Sequence, residues 1–354
     1  MSSIILDCDL MRHPNSGLYH YCLNLGQYVH RALAQHPELS ISMYAPPAAK
    51  EAFEPSLKVV TERKWHKTLK PFLWSCDVWH APFQSGRMLR KKGGRGKNLL
   101  TIHDLNVLHE DKPERERKHS LEKTQELINQ SDAIVCISEH TKRDVLNNMQ
   151  VGDCPVYVVH NGTHQTDDPP VKPLGYRPSR PFIFSMGYVN RKKNFHTLIP
   201  LLRNSEYELV IAGRLDEPEY ISYINGLAEQ VKVSDRVHLT GPVPEADKSW
   251  YLSNCSAFVF PSLAEGFGAP VVEAMRFGKP LFLSSKTSLP EIGGEAAFYF
   301  RNFEPDHMED VFQRGMKDFF IDGFSERVIR RGECFRWEVK AKEYLAIYRS
   351  LLQQ

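Results

Sequence analysis

Two glutamates, Glu265 and Glu273, lie eight positions apart in the sequence AEGFGAPVVEAMRFGKP (264–280). The residues before this stretch, AFVFPS, are typical of a buried strand, and its proline and last glycine mark the beginning and end of a helix. A loop at the carboxyl end of a strand is therefore predicted, where glycines let backbone N–H groups approach a ligand and the helix N-terminus favours an anion. Helix stabilisation by an early carboxylate explains Glu273 alone. It does not explain Glu265 together with Gly266 and Gly268.

A second loop contains three consecutive cations. The stretch FIFSMGYVNRKKNFHTLI (182–199) is typical of a strand ending in glycine, a loop with Arg191, Lys192 and Lys193, and a helix that begins near Asn194. Cations at the carboxyl end of a strand and before a helix N-terminus match the charge of a diphosphate. A solvated basic turn is the alternative, but the glycine loop in the same half of the chain favours phosphate.

Two polar features stand out in the first half of the chain. In MRHPNSGLYHY, Gly17 lies at a strand-to-helix turn, where backbone N–H groups could contact a phosphate. In TIHDL, His103 and Asp104 end a continuous apolar strand, where a polar pair is not expected in a core. His103 could hydrogen-bond a substrate hydroxyl or position a reacting centre. An ordinary histidine at a strand end is the alternative.

Short β-branched runs alternate with helix-like segments along the whole chain. About six runs lie in each half, and most are continuously apolar, as is typical of parallel strands covered on both faces. The alternation is interrupted by the proline-rich residues 166–180, which we interpret as a linker between a domain at 1–165 and a second at 181–337. The prediction is an α/β protein with two doubly wound domains of similar size, whose strand-end loops face a central cleft.

Composition excludes several classes of protein. The 354 residues contain no apolar run long enough to cross a bilayer, and the first residues lack the features of a secretion signal, so we expect a cytoplasmic protein. The seven cysteines are scattered without metal-ligand or redox spacing, which indicates buried reduced thiols and no metal site. A net charge of +2 argues against a nucleic-acid partner.

Positive charge is concentrated in the first 108 residues, which contain 14 Lys and Arg against 8 Asp and Glu. Six of these basic residues lie in GRMLRKKGGRGK (86–97), which has no acidic residue. A solvated loop is one interpretation. The other is a peripheral contact with anionic lipid on the inner face of a cytoplasmic membrane, or with a phosphorylated acceptor.

The motifs together resemble a known family. EGFGAPVVEAMRFGKPLFLSS…LPEIGGEAAFYF resembles the E-x7-E signature of the GT4-type retaining glycosyltransferases, which have the GT-B fold. Also similar, and in the family's order over most of the chain, are GYVNRKKNFHTLI, GPVPEADKSWYLSNCSAFVFPS, IHDLNVL, AIVCISEHTKRDV and FRWEVKAKEYLAIYRSLL. The resemblance implies two Rossmann-like domains, the first on the acceptor side and the second binding a nucleotide sugar. A C-terminal helix at about 338–354 would cross back to the first domain.

The resemblance also implies roles for individual residues. Glu265 matches the family's glutamate at the donor sugar, and Glu273 the glutamate that binds the ribose. Lys193 with Lys192 matches the basic pair that neutralises the diphosphate leaving group, and many relatives have arginine at Lys192, so Arg191 could supply the guanidinium. The remaining matches are contacts to phosphate, sugar or base, at Gly266, Phe267, Gly268, Gly17 and Val243, and the histidine beside the transferred sugar, at His103.

The function that these matches imply is transfer of a hexose from a nucleotide-diphosphate sugar to a hydroxyl of a glycan or lipid-linked acceptor, as in lipopolysaccharide, O-antigen or capsule biosynthesis. We expect retention of the anomeric configuration, no cofactor and no metal. The RKKN loop resembles that of members that use GDP-mannose, which favours GDP over UDP.

Several alternatives remain open. A sugar-nucleotide epimerase of the same fold and a non-catalytic sugar-nucleotide-binding protein share the predicted architecture. A glycosidase could use two carboxylates but would not need the lysines. The sequence DCD (7–9) imitates a D-x-D metal motif, and a nicotinamide enzyme is disfavoured because no G-x-G-x-x-G follows the first strand.

Overall fold

The chain folds into two compact units in a computed structural model. The residues described are 1–14, 16–67, 75–84, 89–90, 92–163, 170–321 and 323–353. The first unit comprises Met1–His164 with Phe335–Gln354, and the second comprises Gln165–Cys334. Within the described ranges, no helix is both long and apolar enough to cross a membrane.

The first unit is built on a parallel sheet of seven strands in the order β3-β2-β1-β4-β5-β6-β7. The strands are β1 (Ser2–Asp7), β2 (Leu39–Ala45), β3 (Lys58–Thr61), β4 (Val78–Ala81), β5 (Lys97–Ile102), β6 (Ala133–Cys136) and β7 (Val156–Val158). The sequence indicated about six strands in this half of the chain, and the strand it did not indicate is β3, a four-residue edge strand with no fully buried side chain. Because an edge strand pairs on one side only, it lacks the continuous apolar run of a central strand.

Helices cover both faces of this sheet. They are α1 (Gly17–Ala32), α2 (Glu114–Asn129), α3 (Glu139–Asn148) and the C-terminal α10 (Trp337–Leu352). Helix α10 packs against α1, where the hydroxyls of Tyr21 and Tyr344 lie 2.5 Å apart and the ring of Trp337 contacts Tyr21. The C-terminal helix therefore returns to the first unit, as the family resemblance implies.

The second unit contains a parallel sheet of six strands in the order β10-β9-β8-β11-β12-β13. The strands are β8 (Phe182–Met186), β9 (Glu208–Ala212), β10 (Val237–Gly241), β11 (Ala257–Phe260), β12 (Leu281–Ser284) and β13 (Phe298–Phe300). The helices are α4 (Pro218–Val231), α5 (Glu245–Asn254), α6 (Ala269–Met275), α7 (Leu289–Gly293), α8 (Pro305–Phe319) and α9 (Phe324–Glu333). Two doubly wound parallel sheets confirm the predicted α/β fold.

The predicted helix near Asn194 is wrong in type. Residues Arg191–Lys193 form one turn of 3₁₀ helix, and Phe195–Leu202 form a second 3₁₀ segment. Asn194 separates them in the left-handed region, with φ 60°. Pro200 lies inside the second segment and has no N–H for an α-helical bond. The loop therefore has no α-helix N-terminus behind its cations.

The basic run 86–97 lies partly outside the described residues, at 86–88 and 91. Of its other cations, Arg90 is only 8% exposed and donates hydrogen bonds to the carbonyls of Cys76, Arg95 and Lys97. Lys97 lies 3.9 Å from the Asp132 carboxylate. Arg90 is therefore a structural residue of its loop, and Lys92 and Arg95 are the exposed cations described there.

All seven cysteines are free thiols. Six of them are buried, as the sequence predicted, and Cys334 is exposed.

The predicted linker 166–180 includes 166–169, which lie outside the described residues. Its later part packs on the second unit, where the Tyr176 hydroxyl donates to Glu208 at 2.6 Å.

Candidate active site

Lys193 and Glu265 form an ion pair at the carboxyl ends of β8 and β11. Nζ of Lys193 lies 2.5 Å from Oε1 of Glu265, although the residues are 72 positions apart in the chain. Both side chains are mostly buried, with 12% and 13% exposed, and the ammonium also lies over the Phe260 ring at 4.9 Å from its centroid. The pair therefore holds one cation and one carboxylate in fixed positions at the ends of two neighbouring strands.

Two glycines at neighbouring strand ends make room for this pair. A Cβ at Gly213, after β9, would lie 1.9 Å from the carbonyl oxygen of Gly187, after β8. A Cβ at Gly187 would lie 3.3 Å from Cε of Lys193. Close approach of the two backbones therefore depends on glycine at position 213 and places Lys193 directly over the end of β8.

The loop before α6 is held by side chains from the loop after β12. Thr287 accepts a hydrogen bond from the Glu265 N–H through Oγ1 at 2.9 Å, and Ser288 donates to the carbonyls of Glu265 and Phe267. Thr287 has φ 50°, an uncommon conformation for a β-branched residue. This strain next to Glu265 is typical of a functional loop.

Sequence analysis did not select Thr287 or Ser288, because neither forms a recognisable spacing with the E-x7-E stretch. Phe267 is buried, and Gly268 has φ 99° with Leu289 where a Cβ would lie. Gly266 is buried in the same turn. Gly268 therefore shapes the loop through its positive φ. Contact of Gly266, Phe267 and Gly268 with a ligand stays a prediction.

Glu273 lies in the second turn of α6 and is paired with a lysine that the sequence analysis missed. Nζ of Lys248 on α5 lies 2.6 Å from Oε2 of Glu273 and 2.6 Å from Oε2 of Glu245. Burial acts to lower the pKa of Lys248, but attraction to the two carboxylates outweighs it, and the pKa is raised. Val243, the predicted base contact, is half-buried in the turn that precedes α5.

The other two cations of the loop are placed differently. The guanidinium of Arg191 lies over the rings of Tyr220 and Tyr223 on α4, at 5.8 and 5.5 Å from their centroids. Lys192 accepts a hydrogen bond from the Leu263 N–H through its backbone carbonyl, which joins the cation loop to the loop before Glu265. Contacts of both side chains with a diphosphate stay predictions.

In the first unit, His103 is buried at the end of β5. Its Nε2 lies 2.8 Å from the Pro82 carbonyl, which can only accept, so the ring proton is on Nε2. Burial lowers the pKa of His103 to about 4, and the bond to Pro82 opposes this only in part. The imidazole is therefore neutral near pH 7, and Nδ1 is its hydrogen-bond acceptor.

Asp104 and Gly17 have local structural roles. Asp104 accepts a hydrogen bond from the Asn106 N–H and thereby forms the turn that follows β5. Gly17 is the first residue of α1, behind the N-cap Ser16, and the space around its Cα is open. Contact of Gly17 with a phosphate stays a prediction.

The D-x-D alternative has no support in the structure. Asp7 and Asp9 are buried, Asp7 accepts a hydrogen bond from the Asp9 N–H, and Asp9 is paired with Arg12. Their carboxylates therefore serve the turn after β1, and they form no group of metal ligands in the described part of the chain.

Two family models cover most of the chain. "Glycosyl transferases group 1" matches residues 171–331, and "Glycosyltransferase Family 4" matches residues 38–167. The chain belongs to the family of GT4-type glycosyltransferases. Its E-x7-E loop lies in the half that matches the first of these models, where Lys193 and Glu265 are paired.

The glycosyltransferase is similar to curated and solved proteins of this kind. It is 30% identical over 180 residues to "Serotype-specific mannosyltransferase WbdA" of Escherichia coli, a match that spans 49% of this chain and 22% of that protein. Sucrose-phosphate synthase from Thermosynechococcus elongatus has a TM-score of 0.76 at 18% identity over the whole of both chains. Anabaena HepE, solved with UDP and glucose, has a TM-score of 0.73 at 14% identity over 99% of this chain and all of that one. The two solved structures show that the glycosyltransferase has their GT-B fold.

Proposed function

We propose that this enzyme transfers a hexose, with mannose favoured, from a nucleotide-diphosphate sugar to a hydroxyl of a glycan or lipid-linked acceptor, with retention at the anomeric carbon. The observation that carries the proposal is the buried pair of Lys193 and Glu265 at adjoining strand ends. It supplies a cation for a leaving phosphate and an acceptor of hydrogen bonds for sugar hydroxyls within one hydrogen-bond distance of each other.

Charge development explains why these groups are needed. Cleavage of the sugar–phosphate bond creates positive charge on the anomeric carbon and negative charge on the leaving diphosphate. The Lys193 ammonium, fixed by Glu265 and Phe260, stabilises the diphosphate where its charge appears. Glu265 orients the donor sugar, and the acceptor hydroxyl attacks from the face that the phosphate leaves, with a phosphate oxygen taking its proton.

Ribose recognition is assigned to Glu273. Nζ of Lys248 is paired with Oε2 of that carboxylate, which leaves Oε1 to accept hydrogen bonds from the ribose hydroxyls. The base is expected beside Val243, in the turn that leads into α5. His103 contributes an uncharged Nδ1, which accepts a hydrogen bond from a hydroxyl of the transferred sugar.

The nucleotide and the sugar of the donor are the most specific part of the proposal. The name of the mannosyltransferase relative supports a mannosyl donor, and the resemblance of the RKKN loop supports GDP as its nucleotide, whereas the HepE structure contains UDP. A panel of GDP-, UDP-, ADP- and dTDP-sugars in calorimetry, with wild type and Glu273→Ala, separates them. One donor should bind the wild type and bind the variant at least about tenfold more weakly, as expected for loss of a charged hydrogen-bond partner.

Binding of no sugar nucleotide, or binding that ignores Glu273, would overturn the ribose assignment. Donor consumed without acceptor would identify an epimerase or hydrolase, and binding without turnover a binding protein. The anomeric proton spectrum of the product tests the stereochemistry, because an inverted linkage would contradict same-face attack.

A further inference from the structure

A cluster of two histidines and one aspartate lies in the first unit and includes none of the residues assigned above. Nε2 of His109 is 2.7 Å from Oδ2 of Asp144, and Nε2 of His140 is 3.3 Å from the same oxygen. All three ligand atoms lie within 4.8 Å of one another. Within the described residues, no other three side chains of the metal-ligating types converge this closely.

Two separate elements build the cluster. His140 and Asp144 are four positions apart on α3, so they project from one face of the helix. His109 follows the 3₁₀ turn Asn106–Leu108 that leaves the end of β5. The His109 and His140 rings are 5.1 Å apart between centroids, and their side chains are 31% and 15% exposed. The cluster is therefore reachable from solvent yet fixed on two sides.

The donor set and the spacing fit a divalent transition metal. Two imidazole nitrogens and one carboxylate oxygen are ligands that zinc accepts, and a tetrahedral site with bonds of about 2.0 to 2.1 Å places its ligand atoms about 3.3 Å apart. The separation of His140 and Asp144 already has this value. The shorter separation of His109 and Asp144 needs to lengthen by about half an ångström.

We propose that His109, His140 and Asp144 bind a zinc-like divalent cation, with water in the remaining position. In the structure without the ion, His109 donates its Nε2–H to Oδ2 of Asp144. Binding therefore requires that this proton leave Nε2, with the remaining ring proton on Nδ1, and that Nε2 of His140 also be free of a proton, so that both Nε2 atoms face the ion. The ion joins the loop after His103 to α3 and takes no part in the transfer reaction.

The position of the cluster gives the ion a mechanical effect. Thr141, between the two ligands of α3, donates a hydrogen bond from Oγ1 to the His103 carbonyl at 3.2 Å. Asp104 holds the following turn through the Asn106 N–H. A metal at His109 would tie the far end of this turn to the same helix. The segment 103–109 should therefore open less often when the ion is bound.

The test uses tag-free full-length protein, stripped with a chelator and titrated with zinc chloride in a calorimeter. We expect one site per chain in the wild type and at least about tenfold weaker binding in His109→Gln and Asp144→Asn, since loss of a ligand costs no less than loss of its supporting contact. His109→Gln can still hydrogen-bond Asp144, so it separates a metal site from a simple polar clamp. His119→Gln, an exposed histidine on α2, is the matched control.

Hydrogen exchange of 103–109 with and without zinc provides a second measurement that does not depend on folding of a variant. Protection that appears with zinc in the wild type and in His119→Gln supports the proposal. Equal zinc affinity in wild type and His109→Gln, or no binding at all, would overturn the site. Zinc binding without added protection would overturn the proposal that the ion stabilises the segment 103–109.

Discussion

Lys248 places a mostly buried cation between two carboxylates, Glu245 and Glu273, and only one of these has a proposed ligand. The lysine holds Glu273 in one orientation by occupying one of its oxygens. Glu245, the first residue of α5, is the second carboxylate that contacts the same ammonium. In the proposed function, recognition of ribose by Glu273 would therefore depend on Lys248, a residue with no assigned contact to the ribose.

Replacing Lys248 by methionine should raise KM for the donor by about tenfold with a smaller change in kcat, because the two carboxylates then repel each other and Glu273 turns away. Steady-state kinetics with the preferred donor checks this. Lys317→Met, an exposed lysine on α8, is the control. The ratio of affinities for ribose and 2′-deoxyribose nucleotides should also fall in Lys248→Met, and an unchanged ratio would show that the lysine is only structural.

His103 should not be the group that limits activity in acid. Because the pKa of this buried imidazole is lowered to about 4, it stays neutral from pH 8 down to about 5.5. His103→Ala should lower kcat by about ten- to a hundredfold through loss of a hydrogen bond and packing, while the shape of the pH–rate profile is kept. An acid limb near pH 6.5 that disappears in the variant would contradict this assignment.

Single residues also show how far the sequence could predict the site. Sequence analysis selected the two glutamates and the two lysines because their residue types and spacing are visible in the linear sequence. Lys248 was not, since it lies on α5 with no spacing to Glu273 that a pattern could reveal. Thr287 was missed for a related reason: a positive φ at a threonine follows from the fold and has no sequence signal.

At the level of elements, the close approach of the loops after β8 and β9 fixes the position of Lys193. Gly213→Ala should cost about 2 to 4 kcal/mol of unfolding free energy, because its Cβ meets the Gly187 carbonyl and its φ of 153° suits only glycine. Gly226→Ala in the middle of α4, where the space is open, should instead stabilise by about 0.5 to 1 kcal/mol. Urea unfolding of both variants measures the contrast, and equal effects would contradict the steric argument.

Strands were predicted better than the segments between them. Central strands such as β6 and β9 are wholly buried and therefore continuously apolar. Strand β3 was missed since its four residues lie at an edge. The segment Phe195–Leu202 was assigned to a regular helix because apolar spacing does not distinguish a 3₁₀ from an α-helix, although its internal Pro200 signals the difference.

For the whole molecule, two buried histidines couple stability of the first unit to pH. Nδ1 of His80 lies 2.7 Å from the Tyr348 hydroxyl and Nε2 lies 2.8 Å from that of Thr101. Burial lowers the pKa of His80 to about 3 and that of His103 to about 4. Above pH 6.5 neither the folded nor the unfolded chain binds a proton at these two histidines. As pH falls below 6.5, the unfolded chain binds protons first, and stability is lost.

Unfolding free energy should therefore fall between pH 7 and pH 5 by about 2 kcal/mol for each of these two histidines. Denaturant titrations at several pH values give the slope. His80→Asn should flatten it, whatever its effect on stability at pH 7, and His119→Gln should leave it unchanged. A slope that is the same in His80→Asn and wild type would contradict the burial of a neutral imidazole.

The chain passes from the first unit to the second near residue 164 and returns near residue 335, where the Thr163 N–H donates to the Phe335 carbonyl at 2.8 Å. The second unit is thus an insertion within the first. During synthesis the ribosome completes residues 165–334 before it supplies α10, so the second unit can fold while α1 still exposes the apolar face that Trp337 and Tyr344 will cover. We expect nascent chains that stop before residue 335 to bind chaperones through α1, although half of the protein is already folded.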